Sequence, residues 1–386
     1  MLKRFTRRFL FFPKQRSFLL IASTVLLLSM ITGCGPGPDD LAKVNYAPLD
    51  RTDWEISTPE VEGLDPALVA EMYYNASKLE TIYSLLVIKN GRLIAEDYFN
   101  EGSVEQKDRL QSATKSYTSA LVGIAIDQGL LSSVDQKILD FFPEIAGKIT
   151  DPRKEQITIR HLLKMRSGYP WEESHPALWE GLLSGHYPPL LEEFPLASDP
   201  DARFYYSNLS SNWLGIMVDR VSGMNLKAYA EKNLFQPLGV EAGEWGQDAE
   251  GHNNGCGDLF FTARDAAKFG LLYLNDGVYD GKQIVPADWV RDSLETYSVN
   301  EAYVTSVGRF HNIGYGYHWW SADAGEHHVN YAAGHGGQHI FLLDDLDMVI
   351  VTTSYPYYLE HNDESWKHEK AIINLVSKFV YSLPGE

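Results

Sequence analysis

The sequence predicts an α/β fold: one antiparallel sheet with flanking helices, a helical subdomain, and a cleft between them. Three observations carry this. Strand signals lie near both ends of the chain, helical periodicity fills the middle, and an amphipathic stretch closes it. Residues 83–89 form an apolar run, Asn90-Gly91 follows, and residues 92–99 form a second run. Asn-Gly between two such runs is a strong hairpin signal. Residues 113–128 present an apolar face and stop at Gly129, a good C-terminal glycine. Residues 157–165, 208–221 (stopped by Gly223) and 262–274 read as further helices. A second strand pair is expected at 339–343 and 348–353, around the acidic turn 344–347. The last helix is expected over 366–381, with apolar residues at 371, 372, 375, 376, 379 and 380.

The chain has 386 residues, 44% of them apolar and 12% aromatic, enough for a sizeable core and not the composition of a disordered chain. Thirty-three basic and 52 acidic residues give a formal charge of -19. Six of the basic residues lie in the first 33 positions, where no acid occurs; the remaining 27 basic and 52 acidic residues leave -25. So acidic a body repels a phosphate backbone, so no nucleic-acid partner is expected. Two cysteines, Cys34 and Cys256, exclude a disulfide scaffold.

Residues 1–17 are basic and residues 18–31 apolar, a run shorter than the roughly 20 residues of a spanning helix. That order marks a secretory signal. The run ends Ile31-Thr32-Gly33-Cys34, which resembles a bacterial lipobox. The resemblance implies cleavage before Cys34, lipidation of Cys34, and attachment to a bacterial membrane, the outer membrane facing the periplasm. An ordinary secretory signal and a twin-arginine signal at Arg7-Arg8 are the alternatives. The expected organisation is signal 1–33, tether 34–50 and domain 51–386, with a sheet part (51–110 and 256–386) and a helical part (111–255). Cys256 is then unpaired, a buried structural thiol.

Three short patterns carry chemistry. Ser112-Ala113-Thr114-Lys115 is the one S-x-x-K in the chain, and it opens a helix. Ser112 and Lys115 therefore share a face, one turn apart. A serine hydroxyl needs a base, and a lysine in a desolvated cleft can be neutral and serve as one. The helix N-terminus favours an oxyanion. The bland reading is a serine cap and a solvated lysine. Tyr206-Ser207-Asn208 stands at a loop-to-helix junction; the same Y-x-N pattern at Tyr73, Tyr98 and Tyr273 lacks that setting. His335-Gly336-Gly337 opens a late strand, where glycines allow close backbone approach.

In this order and spacing the patterns resemble the serine β-lactamase and penicillin-binding superfamily. The likeness is to its class C-like branch of esterases, D-aminopeptidase-like enzymes and aminohexanoate-oligomer hydrolases. It spans about residues 54–383, with support from ITIRHLLKMRSGYPW at 157–171 and RFYYSNLSSNWLGIMVDRVSG at 203–223. It implies a β-lactamase-like sheet and subdomain, Ser112 as acylated nucleophile, Lys115 as its base and Tyr206 as second proton shuttle. It also implies that Asn208, His335, Gly336, Gly337 and Tyr169 contact substrate, and that the backbone N–H groups of Ser112 and Gln338 form the oxyanion hole. His-Gly-Gly replaces the Lys-Thr-Gly that binds a substrate carboxylate, and an imidazole with the ordinary pKa near 6.5 is mostly uncharged at neutral pH unless a neighbour raises it. That favours esters or small amides over penicillins. A D,D-peptidase or β-lactamase is the rival enzyme reading, and a non-catalytic binding lipoprotein the rival of another class. His311, His318, His327, His328, His335 and His339, with Asp323 and Glu326, invite a zinc reading, but no tight ligand spacing such as H-E-x-x-H occurs. No metal and no cofactor is expected.

Overall fold

The computed structural model describes residues 35–302, 304–356 and 363–385; the expected signal segment and Cys34 lie outside them. Strands β1 (Ile82–Lys89) and β2 (Arg92–Tyr98) form the expected hairpin. Asn90 (φ 50°) and Gly91 (φ 74°) both take the left-handed conformation that such a tight turn demands. The remaining strands of the main sheet are β3 (Ser298–Val299), β4 (His311–Tyr315), β5 (Trp320–Ala324), β6 (His327–Gly334), β7 (Gln338–Leu343) and β8 (Met348–Ser354). Their order is β2-β1-β8-β7-β6-β5-β4-β3, with antiparallel pairing throughout. The β1–β8 pairing joins the N-terminal hairpin to the C-terminal strands.

Both faces of the sheet are buried. On one face Val349 and Val351 join the core of the helical part, with helices α2 (Thr114–Asp127), α4 (Asn208–Ser222) and α5 (Ala263–Leu274). On the other, Met348 and Ile350 pack under α1 (Pro66–Ala76) and α6 (Asp363–Ser382). The short helix α3 (Ile159–Leu163) packs on α4. Double coverage explains why the central strands read as continuous apolar runs and not as alternation. The sequence pattern did not reveal β3–β6. Residues 311–334 are rich in glycine, alanine and histidine, and packing against neighbouring strands overrides that weak propensity.

Part of the stretch expected as a tether is docked on the sheet edge. Leu49 N donates to Glu96 Oε2 at 2.8 Å, and the Arg264 guanidinium spans the Leu49 carbonyl and the buried Glu96 carboxylate.

One buried histidine joins the two helices that matter below. His318 Nδ1 lies 3.1 Å from the Lys115 carbonyl at the start of α2, and Nε2 lies 3.4 Å from Ser211 Oγ on α4. Ser116 Oγ donates to the His318 carbonyl at 2.7 Å. Burial, aided by the Lys115 charge, pushes the His318 pKa down to about 3. A folded pKa below the unfolded value means the unfolded chain takes up the proton first, so this part of the stability is present above about pH 6.5 and is lost as pH falls toward 3. His318→Asn tolerates the left-handed backbone there (φ 63°). Urea melts should show wild type losing more stability than His318→Asn on going from pH 6.5 to 4.5, by about 1.4 kcal/mol per pH unit. Parallel pH profiles would contradict the assignment.

Candidate active site

The chain enters α2 through a tight turn. Gln111 takes φ 50°, residues Gln111–Ala113 form a 3₁₀ turn, and Ser112 is half-buried at its centre. Lys115 lies one turn on and is 1% exposed. Its ammonium has three acceptors from three parts of the chain. Nζ donates to Ser112 Oγ at 2.9 Å, to Asn208 Oδ1 at 2.9 Å, and to the Cys256 carbonyl at 3.0 Å. It also stands 4.7 Å from the centre of the Tyr206 ring. The four residues brought forward by the first two patterns therefore converge within one set of contacts.

The charge state of Lys115 differs from the sequence expectation. Burial does oppose the ammonium, but the Tyr206 oxygen, the Cys256 thiol and the Glu173 carboxylate outweigh it and raise the lysine pKa. Lys115 is thus held above its ordinary pKa, opposite to what burial alone would give, with Nζ donating to Ser112 Oγ. Cys256 is beside the site, with its thiol pushed up to about 11 by burial.

Tyr206 precedes α4, whose N-cap Ser207 accepts from Ser210 N at 3.1 Å. The Tyr206 ring stacks on Trp320 (5.7 Å, 23°) and meets Tyr315 edge-on (6.1 Å, 87°). The aromatic stretch 315–320 thus supplies both core (Tyr315, Tyr317 and Trp319 are buried) and cleft wall (Trp320). Two acids that no motif singled out hold this corner. Glu172 is fully buried and accepts from Ser207 Oγ at 2.6 Å, Asn208 N at 3.0 Å and Leu209 N at 3.2 Å. Burial raises its pKa against those bonds. Glu173 is exposed, and its Oε1 accepts from Asn208 Nδ2 at 3.3 Å.

The third pattern closes the site from the sheet. A Cβ on Gly334 would lie 2.1 Å from the Leu110 carbonyl oxygen, so glycine alone lets the end of β6 meet the turn before Ser112. Gly336 (φ 86°) and Gly337 (φ 110°) make the turn into β7, which opens with Gln338, paired to Gly334. The Thr352 hydroxyl donates to the Gly337 carbonyl at 2.8 Å, and Gln338 Nε2 to the Ser354 carbonyl at 2.6 Å. Glu369 of α6 accepts from Gly336 N at 2.8 Å and lies 3.1 Å from His335 Nδ1. Ser365 Oγ lies 3.0 Å from His335 Nε2. Burial lowers the His335 pKa, but Glu369, with help from Glu173, reverses this and raises it. Glu369 is thus the neighbour that lifts the imidazole above its ordinary pKa.

Tyr169 is a second correction. It is 1% exposed, donates to the Leu191 carbonyl at 2.5 Å and packs on Trp213. It is a core residue and has no surface for a substrate. The six histidines considered for zinc are spread along the sheet: His318 reaches α2, while His327, His328 and His335 pair with Asp345, Asp323 and Glu369.

Comparison with known proteins agrees with this fold. The Beta-lactamase family model matches residues 83–371. The 6-aminohexanoate-dimer hydrolase of Paenarthrobacter ureafaciens is 24% identical over 83% of this chain and 89% of its own length. The monacolin J acid methylbutanoyltransferase of Aspergillus terreus is 31% identical, and the alignment spans 39% of this chain and 41% of that protein. The octameric penicillin-binding protein homologue of Pyrococcus abyssi superposes with a TM-score of 0.60 at 19% identity, over 80% of this chain and 76% of that one. EstCE1, a hydrolase with promiscuous acyltransferase activity, gives 0.63 at 17% identity, over 77% and 94%. With Ser112, Lys115, Tyr206 and Asn208 brought together and a family match from the first strand to the last helix, the chain belongs to the Beta-lactamase family of hydrolases.

Proposed function

We propose that the chain is a serine hydrolase that cleaves an ester or small amide through an acyl-enzyme on Ser112. The observation that carries the reading is the 2.9 Å contact from a buried Lys115 Nζ to Ser112 Oγ. Attack on the carbonyl carbon forms the Oγ–C bond while the Ser112 proton passes to the Lys115–Tyr206 pair, which must hold one proton vacancy. The backbone N–H groups of Ser112 and Gln338 receive the oxyanion. Tyr206 returns a proton to the leaving group, and then takes one from the water that frees the acyl group. Relatives named as a 6-aminohexanoate-dimer hydrolase, a lovastatin esterase and a methylbutanoyltransferase support acyl transfer as the common step.

Substrate choice follows from charge. Both nitrogens of His335 have partners, and any imidazolium is neutralised by Glu369. Gly336 offers no hydroxyl, and Glu173 adds negative charge. A substrate carboxylate would lose its water without gaining a free cation, at a cost of about 1–3 kcal/mol. Neutral esters and small amides fit this cleft better than penicillins or peptides with a free carboxylate. The lipobox-like Ile31-Thr32-Gly33-Cys34 supports export and a lipid anchor on Cys34, with the hydrolase facing the periplasm.

Ser112→Ala should abolish the mass gain on treatment with a fluorophosphonate probe, at a stability cost of about 1–3 kcal/mol for the acceptor lost to the buried Lys115 Nζ. An adduct that persists in the variant excludes Ser112. Short-chain p-nitrophenyl esters should exceed a chromogenic cephalosporin in kcat/KM by at least about tenfold, or about 1.4 kcal/mol. Faster cephalosporin turnover would favour a β-lactamase or D,D-peptidase. In a bacterial host, Cys34→Ser should prevent labelling by radioactive palmitate and membrane fractionation. Wild-type protein that takes up no label speaks against the anchor.

A further inference from the structure

Asn208 is held at both ends by two adjacent acids from the loop before Pro176. Its backbone N–H donates to Glu172 Oε2 at 3.0 Å, and its side-chain Nδ2 donates to Glu173 Oε1 at 3.3 Å. The other end of the same amide, Oδ1, accepts from Lys115 Nζ at 2.9 Å. We propose that Glu172 and Glu173 are positioning residues: they clamp Asn208 so that its amide oxygen faces Lys115, and so hold the Lys115 ammonium on Ser112. This rests on the reading of Ser112 and Lys115 as the reacting pair.

The sense of the amide is fixed by chemistry. A primary amide offers acceptors at one end and donors at the other. Reversed, its NH₂ would face an ammonium and its oxygen would face a carboxylate, two repulsive contacts in place of two attractive ones. Lys115 at one end and Glu173 at the other therefore select the same orientation. A rotated amide would leave Nζ with two acceptors in place of three, at a site where burial already disfavours the charge.

Glu172 controls the backbone below the same residue. Ser207 caps α4 by accepting from Ser210 N, which leaves the Asn208 and Leu209 N–H groups in need of another acceptor. Glu172 accepts from the Asn208 and Leu209 N–H groups and, as a third bond, from the Ser207 hydroxyl. A fully buried carboxylate with no cation beside it is costly, and here those three donors and the helix N-terminus compensate. The result is a fixed starting point for α4, from which Asn208 and, two residues earlier, Tyr206 project.

The groups facing Lys115 are the Tyr206 oxygen, the Cys256 thiol and Glu173, with neutral His318 behind its carbonyl. Removing Glu173 takes away one negative neighbour and loosens one acceptor, so the lysine should release its proton at lower pH.

The test is a double-mutant cycle on ester turnover. Glu173 is exposed, so Glu173→Ala should fold normally. Its kcat should fall about tenfold or more with KM within about twofold. In an Asn208→Ala background the same change should cost nothing further. Glu172→Gln should also lower kcat, because its amide NH₂ would then face either the Asn208 N–H at Oε2 or the Ser207 and Leu209 donors at Oε1. Additive losses at Glu173 and Asn208, or a change confined to KM, would overturn the proposal and make Glu173 a substrate contact. Full kcat in Glu172→Gln would remove Glu172 from it. Independently of turnover, the ¹³Cε shift of Lys115 should titrate at lower pH in Glu173→Ala than in wild type; an unmoved titration overturns the clamp. Should wild type hydrolyse no ester and take no acyl group on Ser112, the proposed function fails, and the lysine titration still decides on the clamp.

Discussion

A lysine ammonium with 1% exposure is the constraint on which the site depends. A buried charge is tolerated only where polar partners replace its water. Lys115 finds them on the 3₁₀ turn at Ser112, on α4 at Asn208, and in the loop at Cys256. Those segments are separated by up to about 140 residues of chain, and each must arrive within hydrogen-bond reach of one nitrogen. The helical part thus has a polar centre that fixes its register, while the apolar contacts around it supply most of the burial.

Acids, not bases, shape the electrostatics around that cation. Glu172 anchors the start of α4, Glu173 turns the Asn208 amide, and Glu369 holds both His335 and the Gly336 N–H. Each answers a donor the fold would otherwise leave short of an acceptor. Together they bring the cleft near charge balance, with Lys115 and His335 already matched from within. A neutral substrate enters such a site without disturbing it, whereas an anion competes with carboxylates already in place. The same pattern explains why His335, with Glu369 behind it, is no simple stand-in for a lysine.

Much of this was legible in the sequence, unevenly. The β1–β2 hairpin declared itself through Asn90-Gly91, and α2 and α4 through their spacing and their terminal glycines. Ser112, Lys115, Tyr206 and Asn208 could be named because their patterns, in this order and spacing, resemble those of the serine β-lactamase superfamily. Strands β3–β6 could not, since their residues pair well in a sheet without favouring one in isolation. Glu172, Glu173, Glu369 and His318 carry no local pattern at all. Their roles arise from contacts across 35, 33 or some 200 residues, which no window of sequence contains. Tyr169 failed for the opposite reason: a pattern beside a loop pointed to the cleft, and packing on Trp213 took the side chain into the core.

Backbone strain adds a last link between fold and chemistry. Among the described residues, twelve other than glycine take positive φ, and nine of these are asparagine or aspartate, which tolerate it. The three exceptions are Gln111, Met165 and His318. Gln111 immediately precedes Ser112. Met165 accepts from Tyr205 N through its carbonyl and from Ser207 N through its sulfur, on either side of Tyr206. His318 braces the first turn of α2 against α4. Such conformations cost about 1–3 kcal/mol each for residues that do not favour them, and they persist where surrounding packing over-determines them. Elsewhere among the described residues the positive-φ positions hold Asn, Asp or Gly. These three positions do not, and all three set the placement of Ser112, Lys115 or Tyr206. The stability given up there is what a fixed geometry requires: a relaxed turn at Gln111 would swing Ser112 Oγ away from Lys115 Nζ and leave the buried ammonium one acceptor short.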